Sequence, residues 1–158
     1  MLFLCTGNSA RSILGEALVT QLSLGRIVGY SAGSIPVGKV NLFAREIAES
    51  IGYPQHKMRS KSWEEFTKSG SPYMDFIVTV CDRANSETCP VWPGNPTSAH
   101  WGFPDPAAVK GSEKNKREAF ENVRQGLECC LRSFIDLPLE RLSTQQLEAE
   151  LRKIGEGI

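Results

Sequence analysis

Residues 1–22 constrain the fold of this chain more than any other stretch. Four apolar residues, Met1-Leu2-Phe3-Leu4, lead to Cys5 and the turn-forming Thr6-Gly7-Asn8-Ser9, and a helix-like run follows over residues 12–22. An apolar run that short, closed by turn residues, reads as a buried strand. The chain therefore opens as strand, loop, helix. The alternation continues with a strand predicted at 27–31, ended by Ala32-Gly33-Ser34, and a helix at 42–51 with Leu42, Ile47 and Ile51 near one face. Residues 75–80 (DFIVTV) are rich in β-branched and aromatic side chains and predict a central strand ending at Cys81. A last short strand fits 99–103. This pattern predicts an α/β fold: a single-domain, open, mostly parallel four-stranded sheet with helices on both faces. Ligands of such sheets bind beyond the carboxyl ends of the strands, where Cys5 and Cys81 both fall.

Between these elements, residues 82–97 hold Asn85, Ser86, Pro90, Pro93, Gly94, Asn95 and Pro96, a density of breakers that predicts a long mobile loop. From about Glu113 a long helix carries Phe120, Val123, Leu127, Cys130, Leu131 and Phe134 at helical spacing, a stripe that should face the core. Leu137-Pro138 ends it, and Ser143-Thr144-Gln145-Gln146 resembles a capping box opening a final helix with Leu147, Leu151 and Ile154 on one side. The 158 residues, 41% of them hydrophobic, suit one domain. Its main body is expected over 1–137, with 138–158 as a helical extension of the same domain.

Eighteen basic and eighteen acidic residues cancel, so no long-range field draws the chain towards nucleic acid or an anionic membrane, and neither is expected as a partner. No apolar stretch approaches the roughly 20 residues of a membrane span, and a cytoplasmic location is expected. The five cysteines, Cys5, Cys81, Cys89, Cys129 and Cys130, are odd in number and favour catalytic, redox or buried thiols over a static disulfide framework. No Cys-x2-Cys pair exists and His56 and His100 lack ligand spacing, so no metal centre is expected from the residues. Cys129 and Cys130 read as buried structural thiols.

The chemistry is concentrated in Cys5-Thr6-Gly7-Asn8-Ser9-Ala10-Arg11-Ser12. A tetrahedral oxyanion carries charge on several oxygens and needs many convergent donors with little bulk, which a turning backbone feeding a helix N-terminus supplies. Gly7 and Asn8 tolerate the positive φ values that aim successive N–H groups inward, and Arg11 adds a planar fork able to bind two oxygens. Residues 6–12 would hold the oxyanion. The same positive environment suits Cys5 as nucleophile, with the Ser12 hydroxyl as a donor to its sulfur. Cys-x5-Arg alone is a weak motif; its placement after a strand and before a helix sharpens it. The loop lacks the Lys that ends a nucleotide-binding Gly-x4-Gly-Lys-Ser/Thr cradle.

CTGNSARS after an apolar opening, YSAG at 30–33, the segment 81–89 continuing CPVWPG, and HWGFPDP at 100–106 together resemble the arsenate reductases built on the low-molecular-weight tyrosine phosphatase fold. The match spans roughly residues 1–134. The resemblance implies reduction of arsenate to arsenite through a Cys5 thiol-arsenate adduct, attack by Cys81 on Cys5, and attack by Cys89 on Cys81 to leave a Cys81–Cys89 disulfide. It implies no tightly bound cofactor and an external thiol reductant, thioredoxin or glutaredoxin with glutathione. The spacing Cys81-x7-Cys89 is one residue longer than in thioredoxin-linked members, which leaves that choice open. A flexible connection would let Cys89 move, whereas a rigid helix would oppose the relay. The resemblance also makes Asp105, between two prolines, the general acid. Asn8, Glu16 and Ser31 match a weak potassium site of some relatives, with Lys61 near the place of its completing acid.

The first rival is a phosphatase acting on tyrosine phosphate or a small ester through a Cys5 phosphocysteine, with Arg11 and Asp105. It needs neither Cys81 nor Cys89, and Ala107-Ala108 offers no aromatic ring to flank a phosphotyrosine. A second rival is a domain that senses an anion or redox state without turnover.

Overall fold

The computed structural model describes residues 1–158. Four strands, β1 (Leu2–Cys5), β2 (Tyr30–Gly33), β3 (Phe76–Thr79) and β4 (Thr97–His100), pair in parallel in the order β2-β1-β3-β4. The helices are α1 (Arg11–Leu22), α2 (Leu42–Ser50), α3 (Asp82–Ser86), α4 (Glu113–Ile135) and α5 (Thr144–Glu156). The expected α/β class is what the chain adopts.

The uniform apolarity of β1 follows from its place inside the sheet, where both faces are covered. Phe3 and Cys5 enter the larger core with Leu14 and Leu18 of α1, Val78, Trp101, and Leu127, Leu131 and Phe134 of α4. Leu2 and Leu4 point the other way, onto Ala32, Phe66, Met74 and Ile77. The first face is roofed by α1 and α4. The second has a thinner cover, the one-turn 3-10 helix Trp63–Phe66 and Met74. Each fully buried aliphatic chain contributes about 1.5–3 kcal/mol, so the six-residue stripe of α4, all buried, anchors that helix strongly.

The chain leaves β1 on one side to form β2 and returns on the other to form β3. A sheet with this reversal opens a crevice at the carboxyl ends of the two strands where the direction changes. Cys5 ends β1, and Cys81 lies two residues beyond β3. The topology thus brings two thiols 76 positions apart in sequence to one edge of the sheet.

Four expectations need correction. The second strand is Tyr30–Gly33 rather than 27–31, because its partner β1 begins at Leu2, which pairs with Tyr30, and because the Ser23 side chain instead ties both the N–H and the carbonyl of Ile27 into a turn. The last strand is Thr97–His100 rather than 99–103, set by the register Phe76 to Thr97 along β3. Residues 82–86 of the expected loop form α3, capped by the sulfur of Cys81, which accepts from the Ala84 N–H at 3.4 Å. Finally, Cys130 is buried but Cys129 is exposed, since successive helix positions point about 100° apart. Burial, then the neighbouring Cys129, pushes the Cys130 thiol up to about 11.

The final helix carries the expected capping box between Ser143 and Gln146. It packs along β4, where the fully buried Trp101 donates its indole N–H to the Leu151 carbonyl at 3.0 Å. A Cβ at Gly155 would fall 2.3 Å from the His100 carbonyl oxygen and 2.8 Å from the Trp101 ring. Gly155→Ala is therefore expected to push α5 off β4 and destabilise the protein by about 1–3 kcal/mol, read as a lowered urea midpoint.

Candidate active site

The loop between β1 and α1 is shaped from outside by its carbonyls. Thr6, Gly7 and Ser9 turn theirs towards the segment after β2, accepting from the N–H groups of Ile35, Val37 and Asn41 at 3.0, 3.0 and 2.9 Å. Gly33 permits this close approach, since a Cβ there would lie 2.4 Å from the Thr6 oxygen. With the carbonyls held outward, the amides of Gly7, Ser9, Ala10, Arg11 and Ser12 donate to no protein acceptor. Ala10 supplies no side-chain cap to α1. The helix N-terminus and the turning loop therefore present a concave set of N–H groups, the form that binds a tetrahedral anion.

Asn8 sits at the turn with φ of 42°, in the left-handed region that Asn tolerates. Its N–H donates to the Cys5 sulfur at 3.2 Å, its carboxamide N–H to the Ser12 hydroxyl oxygen at 2.9 Å, and its carboxamide oxygen accepts from the Lys61 N–H at 2.8 Å. The Ser12 hydroxyl, held by the Asn8 amide, lies 2.9 Å from the Cys5 sulfur and can donate to it while accepting from Asn8. Arg11 is held from the opposite side. Its guanidinium donates to the Phe103 carbonyl at 2.9 Å and lies 3.5 Å from the Asp105 carboxylate. Asp105 also accepts from the Ala107 N–H at 3.1 Å, capping the turn Pro106–Ala108, and remains half-exposed.

Cys81 is buried, with its sulfur 3.8 Å from the Thr6 hydroxyl. Cys89 lies beyond α3 and is exposed. Partial desolvation and then the charge of Glu87 push its thiol up. Cys5, residues 6–12, Cys81 and Asp105 thus share one end of the sheet; Cys89 sits on the segment that follows.

Behind the loop, the Lys61 ammonium lies 3.2 Å from Glu16 Oε2, 3.2 Å from Ser31 Oγ and 3.2 Å from the Arg59 carbonyl. Ser31 also donates to Glu16, and the Tyr53 hydroxyl donates to Glu16 Oε1 at 2.6 Å. Lys61 and Glu16 side chains are only 5% and 6% exposed. Burial holds the lysine below its ordinary value, with Glu16 opposing, and raises the Tyr53 hydroxyl. Three of the residues matched to a potassium site are thus already engaged: Glu16 and Ser31 by a lysine ammonium, Asn8 by the Lys61 amide. They do not fit a further cation. Tyr53 had no signal in the sequence. The Phe103 carbonyl had none either, since a backbone acceptor is independent of residue type. Trp101 is fully buried in the core, while His100 bonds to Thr79 at 2.8 Å and to Asp82 at 3.0 Å.

The family model for the low molecular weight phosphotyrosine protein phosphatase matches residues 1–153, and the chain belongs to that family. A protein named arsenate reductase from Halalkalibacterium halodurans is 32% identical over 134 residues, covering 85% of this chain and 93% of that one. Among solved structures, the tyrosine phosphatase Wzb from Escherichia coli K30 in complex with sulphate is similar with a TM-score of 0.65 at 21% identity, over 85% of this chain and 94% of the other. A thioredoxin-dependent arsenate reductase from Corynebacterium glutamicum is similar with a TM-score of 0.55 at 23% identity, over 80% of this chain and 56% of the other. No helix is long and apolar enough to cross a membrane.

Lys61→Met leaves the buried Glu16 without its countercharge. The expected loss is about 3–5 kcal/mol in stability by urea denaturation. Exchanging sodium for potassium chloride should leave the wild-type activity unchanged.

Proposed function

We propose that this protein reduces arsenate to arsenite using Cys5, Cys81 and Cys89 in turn. The observation that carries the reading is the second thiol: Cys81 stands at the end of the strand beside β1, 3.8 Å from the hydroxyl of the residue that follows Cys5. Hydrolysis of a phosphate ester has no use for it. The 32% identity to proteins named arsenate reductase supports the same choice.

Arsenate sits among the amides of residues 6–12, and the Arg11 fork binds two of its oxygens. Cys5 attacks arsenic; Asp105 gives a proton to the departing oxygen, which leaves as water, and a Cys5 thiol-arsenate remains. Cys81 then attacks the Cys5 sulfur. The electron pair of the S–As bond passes to arsenic, which leaves as arsenite, and a Cys5–Cys81 disulfide forms. Cys89 attacks Cys81, freeing Cys5 and closing Cys81–Cys89. An external thiol, thioredoxin or glutaredoxin with glutathione, returns the pair to dithiol; a similar structure is of a thioredoxin-dependent enzyme. Two electrons enter and two leave per cycle.

The last exchange requires the two Cα atoms to come within ~7 Å. Five residues of α3 intervene, where a flexible loop was expected. A helix this short is marginal without its surroundings, so it opens at small cost. Weak phosphate-ester hydrolysis is expected beside reduction, because Cys5, Arg11 and Asp105 serve both first attacks.

Incubation with arsenate, thioredoxin, thioredoxin reductase and NADPH should consume NADPH, with a glutathione and glutaredoxin system run in parallel. Cys5→Ser and Cys81→Ser should abolish turnover in both. Cys89→Ser should stop steady turnover after one cycle; full turnover in that variant would sink the three-thiol order. Since the Cys89 thiol is pushed up, less of it is thiolate at neutral pH, and the rate of Cys81–Cys89 closure should climb as pH rises from 7 to 9.

A further inference from the structure

Two thiols stand apart from the sheet edge that holds Cys5 and Cys81. Cys129 and Cys130 are adjacent on α4, both are free, and both line a cavity of about 540 Å³ between α4, the turn at Leu137 and the last turns of α5. Leu137, Ile154 and Ile158 give this cavity apolar walls, and its volume suits a small organic group. Cys129 is exposed, so the pair is open to solvent; Cys130 is only 6% exposed. Every hydrogen bond to sulfur in the chain lies at Cys5 or Cys81, which leaves a buried Cys130 thiol facing the cavity with no partner in another residue.

Helix geometry decides what such a pair can hold. Adjacent positions set their Cβ atoms about 5 Å apart, wider than the ~3.5–4.5 Å of a disulfide. A direct S–S bond is therefore strained, whereas a soft bridging atom with two bonds of ~2.3 Å to sulfur reaches across. No third histidine, cysteine or carboxylate joins the two sulfurs in a ligand group, so the four ligands of a structural zinc are not supplied. Trivalent arsenic makes three bonds and brings the third substituent itself. Burial pushes the Cys130 thiol up to about 11, which such a bond tolerates, because each S–H proton departs with a hydroxide of the arsenical as water.

We propose that Cys129 and Cys130 together bind a trivalent arsenical, with its third substituent in the cavity between α4 and α5. For As(OH)3, two As–O bonds break, two As–S bonds form, and two waters leave; arsenic stays trivalent and no electron moves. The third bond keeps its hydroxide in arsenite. In a mono-organic arsenical, R–As(OH)2, it carries a carbon group that packs against Leu137, Ile154 and Ile158. The inference rests on the proposed reduction only for the source of the arsenite, which the Cys5 site would release; the chemistry of the pair is independent of the relay.

The test uses the full chain with Cys5, Cys81 and Cys89 all changed to Ser, so that failure of the relay, read by the NADPH assay, cannot be confused with failure of this site. Arsenite and phenylarsine oxide are the probes, with stoichiometry from native mass spectrometry, affinity from calorimetric titration and folding from circular dichroism. One arsenical per chain is expected, with both remaining thiols lost to titration by a disulfide reagent. Cys129→Ser, at an exposed position, should weaken binding about a hundredfold or more, since two linked bonds become one. Cys130→Ala should do the same. Ser133→Phe, which keeps both thiols but fills the cavity from the next turn of α4, should weaken phenylarsine oxide about tenfold and arsenite less. Adducts that leave one thiol titratable, or that survive Cys129→Ser at full affinity, would overturn the site. So would equal affinity in the urea-unfolded chain or an unchanged Ser133→Phe, either of which would make the arsenical a ligand of the bare Cys-Cys sequence only.

Discussion

Asn8 ties both ends of the Cys5 loop to each other and to the distant backbone of Lys61, and the working end of the sheet depends on it. One residue directs an N–H at the Cys5 sulfur, an amide proton at Ser12 and a carbonyl oxygen at the Lys61 backbone. Each bond has a consequence for the next. Holding the Ser12 hydroxyl keeps it beside the Cys5 sulfur; holding the Lys61 backbone helps to place the lysine ammonium. Asn8 has no solvent exposure, so none of its polar atoms could be left without a partner cheaply.

The cluster behind the loop is the counterpart of that arrangement. A hydroxyl on β2, a phenol after α2 and a lysine after the next turn all converge on the Glu16 carboxylate of α1. Burying such a pair costs several kcal/mol per ion, and the Coulomb attraction offsets this only where the remaining donors and acceptors are satisfied, as they are for Glu16. What the cluster supplies is orientation: it fixes the underside of a loop whose upper side must remain free to take a charged ligand.

The architecture was legible in the chain because the strongest signals were local. The apolar run 1–4 has to be buried on both faces, and six positions of α4 repeat at helical spacing, so neither depends on a distant partner. Boundaries failed where a partner sets them. Ile27 is apolar enough for a strand, but β1 offers nothing opposite it, and Ser23 holds it in a turn. The Cys5 loop was legible because a strand, small residues and a helix follow in order. Tyr53 and the Phe103 carbonyl were not, since each reaches the site only through tertiary packing. The helix after Cys81 was hidden by the breakers around it and by a cap that is a sulfur rather than an oxygen.

That cap ties the fold of α3 to the oxidation state of one atom. In the thiol form, Cys81 Sγ accepts from the Ala84 N–H and closes the first turn. A sulfur shared with Cys5 is a poorer acceptor, and an N-terminal cap is worth roughly 1 kcal/mol, a large share of what holds so short a helix. In the proposed relay, forming the first disulfide would therefore loosen the tether of the next thiol. The segment would act as a latch whose catch is the reacting sulfur, so the backbone as well as the thiols would favour that order of exchange.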